Sequence, residues 1–207
     1  MNISTLDSKF ARLVSRVWDF VVLNICFIVS ILPIITIGAS VTALYSVLFK
    51  WIHKEEGYVW KDFFQAFKAS FKKVTGLWLI FLGALVITII NLGISRSFPG
   101  RMSIALCTVF GLLLFILLAT ASYVFPIEAL SDFSGINVTF NAFWMAFGCL
   151  PFTISVLVIE VLPFFLILIR PAWVQPIFTI MFFIGFSLQA YCCAVIFQYL
   201  QTKYLRN

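Results

Sequence analysis

The stretches LWLIFLGALVITIINLGI (residues 77–94) and, one short turn later, MSIALCTVFGLLLFILLATASYVF (residues 102–125) contain no charged side chain. These two runs, 18 and 24 residues long, decide the fold. About 20 consecutive apolar residues in a helix cross a hydrocarbon core about 30 Å thick. Lipid offers backbone N–H and C=O groups no partners, so a spanning segment must satisfy its hydrogen bonds within itself, as a helix does. A membrane barrel would show short alternating segments, and these runs are continuous.

Four further apolar runs flank this pair. The expected architecture is an all-α, polytopic transmembrane helical bundle of about six spans. They lie near residues 17–37, 39–52, 77–94, 102–125, 142–169 and 173–200, in one integral membrane domain over residues 1–207. The composition agrees, with 63% hydrophobic and only 11% charged residues. The run from Val17 to Ile37 exceeds the 7–15 residues of a signal-peptide core, so cleavage is rejected. The second run has 14 residues, a helix of about 21 Å, which is short for a span. Loop charge decides whether it crosses. If it does, and the N-terminus is inside, eleven Lys and Arg fall inside and three outside. If it does not, the split is six to eight. The expected location is therefore the cell membrane, multi-pass, with both termini cytoplasmic. The net charge of +6 is assigned to cytoplasmic loops and anionic headgroups, not to nucleic acid.

Several local features stand out. Pro33, Thr36 and Gly38 form a helix-bending or helix-turn motif where spans one and two meet. On a helical wheel over residues 58–74, Trp60, Phe63, Phe64, Phe67 and Phe71 share one side, with Lys68 and Lys72 elsewhere and Lys73 following. This is an amphipathic, aromatic and basic helix. It is expected to lie in the cytoplasmic headgroup layer or to dock a partner. Within the spans, Glu160 is the one deep acid and a candidate for proton or cation relay. Asn24 and Gln189 complete the candidate intramembrane polar site, their plainer role being hydrogen bonds between helices. Asn91, Arg96 and Gln189 are possible partners for Glu160. Ala39 with Ala43, and Ala142 with Ala146, have the spacing of closely packed helices.

The signatures of soluble chemistry are missing. His53 is the sole histidine, and the five cysteines lack metal-ligand spacing. No phosphate-binding loop or paired catalytic carboxylates occur. The chain is expected to be no enzyme, with no cofactor and no metal site.

The first third of the chain carries a resemblance. It reads NICFIVSILPIITIGASVTALY from Asn24 to Tyr45, then HKEEGYVWKDFFQAFKASFKKVTG from His53. An Asn in the first span, Pro-x-x-Thr-x-Gly-Ala, Ala-Leu-Tyr, Glu-Glu-Gly and Phe-Phe-x-x-Phe-Lys together resemble the YesL-like family of bacterial integral membrane proteins, a domain of unknown function numbered 624. The resemblance implies a Gram-positive membrane protein encoded beside carbohydrate uptake systems of the ABC type. It brings no catalytic residues. The function expected is a non-enzymatic accessory component of such a system. Its partners would be the lipid bilayer, ABC permease subunits or a second copy of the chain. The alternatives are a small transporter or permease in its own right, weakly suggested by Glu128 and Asp132 on an inner loop, and an envelope polysaccharide assembly factor.

Overall fold

The computed structural model describes residues 3–55, 57–130 and 136–204. Asp132 and Arg206, which enter the loop and charge arguments, lie outside them. The described residues are helical, with no strand among them. In order the helices are α1 (Ile3–Ile31), α2 (Ile37–Ile52), α3 (Val59–Ser95), α4 (Arg101–Leu130), α5 (Ile136–Gly148), α6 (Leu150–Ile169), α7 (Val174–Ile180) and α8 (Phe186–Tyr204). A π-helical segment, Met181–Gly185, joins α7 to α8 without a break. Six stretches are long and apolar enough to cross a membrane: they lie in α1, α2, α3, α4, α6 and the run from α7 to α8. The all-α, six-span expectation holds at this level.

The outer surface is apolar. Ile80, Ile104, Leu168 and Phe178 are each about 70% exposed or more. Exposed patches on this scale are tolerated when the surrounding solvent is lipid. The centre belongs to α2, 56% of whose span is buried. Its fully buried Ala43 and Leu48 share a core with Leu23, Tyr123, Val124 and Ala194. Both small-residue pairs are buried within this one chain. The hydroxyls on α2 are satisfied locally: Thr42 Oγ1 donates to Gly38 O at 3.0 Å and Ser46 Oγ to Thr42 O at 2.9 Å. These hydroxyls therefore pass through an apolar interior with their donors satisfied.

The Pro33–Gly38 motif forms a turn. The first helix ends at Ile31, a 3-10 turn covers Ile34–Thr36, and α2 starts at Ile37. Thr36 Oγ1 donates to Ser30 O and Pro33 O, at 2.5 and 2.6 Å, covering carbonyls at the end of α1. The Trp78 indole N–H donates to Ile34 O at 2.8 Å. A Cβ on Gly38 would sit 2.7 Å from Trp78 Cβ and 3.2 Å from the Phe125 ring. Only glycine lets these three helices approach so closely.

Two expectations about element boundaries are corrected. The 58–74 segment is the first half of α3, which runs unbroken for 37 residues, about 55 Å of helix. Gly76 is the sole poor helix former at the join, and one glycine costs about 1 kcal/mol, too little to break a helix. The segment continues without a break into the third span and packs alongside α2. Lys50 Nζ and Asp62 Oδ1 are paired at 2.9 Å at one end, and Gly38 meets Trp78 at the other. The span expected over 142–169 is likewise divided. The chain breaks at Cys149 (φ −121°, ψ 43°), and Pro151 sits in the first turn of α6, where its missing N–H costs nothing.

Candidate functional site

The polar candidates do not form one site. They lie in three places, and each answers a backbone or packing demand of the fold.

Asn24 is fully buried on α1 and faces the π segment. Its Nδ2 donates to Met181 O at 3.0 Å and to Phe182 O at 2.6 Å. Its Oδ1 accepts from the Ser187 N–H at 3.0 Å. In a π turn, the carbonyl of residue 182 would take the N–H of residue 187. The carboxamide of Asn24 lies between those two groups and bonds both. Ser187 Oγ adds a bond to Phe20 O at 3.1 Å. This clamp ties the first span to the last.

Gln189 on α8 donates through Nε2 to Ile159 O on α6, at 2.8 Å. Pro163 lies four residues after Ile159 and has no N–H to offer that carbonyl. Gln189 supplies the missing donor from a neighbouring helix. Gln189→Leu is expected to cost about 1 kcal/mol. The loss should shrink in a Pro163→Ala background, where the helix can bond its own carbonyl. Denaturation in detergent micelles measures the cycle, and purely additive effects would refute the pairing.

Glu160 on α6 finds none of its expected partners. Ser122 Oγ on α4 donates to Glu160 Oε2 at 2.8 Å. Asn91 is bonded within its own helix, to Ile87 O at 2.8 Å. Nearby, the Tyr123 and Thr153 hydroxyls are 3.0 Å apart, and Thr153 Oγ1 also reaches Ala146 O at 2.7 Å. Tyr45 and Cys193 share a hydrogen bond. Tyr45, Ser122, Tyr123 and Cys193 border a space of about 10 Å³, close to the minimum for one water molecule. Side chains from α2, α4, α6 and α8 thus meet in a compact polar cluster. The sequence reading missed Ser122, Tyr45, Tyr123, Thr153 and Cys193. Each is an ordinary residue in an apolar run, and only the pairing of helices brings them together. Among the described residues, no group of three or more His, Cys, Asp or Glu side chains is placed to hold a metal ion.

The aromatic stripe on α3 is divided lengthwise. Phe63 is fully buried, with Val59 and Val74, and Phe67 packs against the same core. Trp60, Phe64 and Phe71 are 58%, 45% and 38% exposed. Lys61, Lys68, Lys72 and Lys73 are exposed as well. Phe63 and Phe67 therefore belong to the interior. The outward ridge consists of Trp60, Phe64 and Phe71, with Lys61, Lys68 and Lys72 beside it on the wheel.

The fold and its lipid-facing surface define a multi-pass α-helical membrane protein. Residues 20–92 match a family model described as protein of unknown function, DUF624. That stretch takes in most of α1 and α3 and the whole of α2, and it contains Asn24, the Pro33–Gly38 turn and the aromatic ridge. No curated protein and no solved structure matches the chain.

Proposed function

We propose that this protein is a non-enzymatic accessory subunit that docks onto the membrane-embedded part of a carbohydrate uptake system of the ABC type, with its basic end in the cytoplasm. The observation that carries the reading is the exposed ridge of Trp60, Phe64 and Phe71. It sits on a helix whose opposite edge is fixed in the core, and lysines flank it. Aromatic side chains held rigidly on a helix, with cations at the rim, suit a protein partner. The class of partner comes from the family resemblance. The excess of Lys and Arg at this end supports the cytoplasmic orientation. The small space beside Glu160 favours this reading over a sugar transporter, because a sugar does not fit where about one water does.

The test is co-purification from membranes with permease subunits. The triple variant Trp60→Ala, Phe64→Ala, Phe71→Ala should lower recovery of the partner about tenfold or more, while its own yield in the membrane stays unchanged. Phe63 and Phe67 are left intact because truncating them would disturb the core. Full recovery of the partner with the triple variant would refute the docking role. A ridge that mediates only self-association would show instead as a dimer of the purified chain that the same substitutions abolish.

A further inference from the structure

The outward side of the first half of α3 carries two parallel stripes. At about 100° per residue, Trp60, Phe64 and Phe71 fall within about 40° of one another, and Lys61, Lys68 and Lys72 form a second stripe about 80° around the helix. All six side chains are exposed. The single acid of this helix, Asp62, is committed elsewhere, to Lys50 at 2.9 Å. That is the one ion pair among the described residues, so no described carboxylate lies within pairing distance of the three stripe lysines. Lipid headgroups can neutralise only part of the stripe. From Lys61 to Lys72 it runs about 17 Å along the helix. α3 packs lengthwise on the central α2, with Lys50 at Asp62 and Gly38 at Trp78, so the stripe follows the length of α2. One headgroup layer is only about 5–7 Å deep. A second copy of the chain would bring a like-charged stripe, which is repulsive.

We infer that the partner segment seated on this face is an acidic amphipathic helix. It lies along α3, with apolar side chains on Trp60, Phe64 and Phe71 and with Asp or Glu carboxylates against Lys61, Lys68 and Lys72. The inference rests on the docking reading above and gives that partner its chemistry. Lys68 and Lys72 are one turn apart, and Lys61 and Lys68 two turns apart. The matching carboxylates therefore recur at about 6 and 10 Å along the partner. Charges at the edge of an apolar contact set its orientation and reject partners of the wrong sign.

The test uses the full chain co-purified with permease subunits in a non-ionic detergent. A zero-length carbodiimide joins a lysine amine to a carboxylate with loss of water. It should link Lys61, Lys68 or Lys72 to an Asp or Glu of a permease subunit, located by peptide mass spectrometry. The triple variant Lys61→Glu, Lys68→Glu, Lys72→Glu should lower recovery of that subunit at least about tenfold. It should leave the fold intact, because all three side chains are exposed. The triple variant Lys61→Arg, Lys68→Arg, Lys72→Arg keeps the charge, so it should keep the recovery while losing the cross-link. A complex that forms without any such cross-link would overturn the inference. So would full recovery with the Glu variant when the Trp60, Phe64, Phe71 triple variant loses the subunit; docking would then stand without an acidic partner. A dependence on the lysines that disappears once anionic lipid is stripped away would assign the charges to headgroups and overturn it too. Full recovery with the aromatic variant, or no permease subunit at all, would remove the docking reading itself and this inference with it.

Discussion

Asn24→Leu is expected to destabilise the protein by about 3 kcal/mol. The substitution strips hydrogen bonds from Met181 O, Phe182 O and the Ser187 N–H together. Each unmet buried backbone group costs about 1 kcal/mol or more, and no water in the bilayer interior can replace the lost partner. Reversible denaturation in mixed micelles, or the melting midpoint in a mild detergent, reports the loss. Asn24→Asp provides the internal control. It keeps the acceptor for Ser187 but has no Nδ2 donor, and it places a charge among buried groups, so it should be at least as damaging as leucine. A leucine variant within about 0.5 kcal/mol of wild type, the range of an ordinary surface substitution, would mean that the π segment does not depend on Asn24.

The second large effect is expected at Gly38. Gly38→Ala should cost about 2 kcal/mol and Gly38→Val about 3 kcal/mol or more, because the added Cβ lands 2.7 Å from Trp78 Cβ. That atom sits beside the α3 backbone and cannot swing away as a side-chain tip can. The helices would have to separate, and the Trp78–Ile34 hydrogen bond would be strained with them. Gly83 serves as the comparison. Nothing lies within 4 Å of a Cβ there, so Gly83→Ala should be neutral or stabilising by about 0.5–1 kcal/mol through reduced backbone freedom in the unfolded chain. If Gly38→Ala and Gly83→Ala melt at the same temperature, close packing at Gly38 is not what holds α2 in place.

The membrane class and the six apolar stretches were legible because an uncharged run about 20 residues long has essentially one reading in lipid. The turn at Pro33, Thr36 and Gly38 was also visible, since each residue carries a backbone constraint of its own. Long-range pairing was not. Asn24 reads as a generic polar contact until it is seen opposite a π segment 157 residues away. Glu160 could be marked as unusual, but its partner Ser122 looks like any serine in a span. The wheel that grouped Phe63 with Phe64 could not say which edge of the stripe faces α2, so the buried and exposed aromatics were pooled. The fusion of 58–74 with the third span was missed because a change from amphipathic to wholly apolar composition looks like a boundary. The helix itself ends only where the backbone demands it, at Ser95. Conversely, residues 142–169 read as one span, whereas the helix is interrupted at Cys149, just before Pro151.

The wide turn at Met181–Gly185 has one more consequence. Relative to an ordinary helix it holds one surplus residue, and each residue advances the helix by about 100°. The side chains of α8 are therefore rotated out of phase with those of α7. The buried positions Ser187, Ala190, Cys193, Ala194, Phe197 and Leu200 keep strict helical spacing only from Gly185 onward. Chain length here is not free to drift. Deleting any single residue between 181 and 185 would let the helix close its own bonds, and it would swing this entire inward face of α8 toward the lipid.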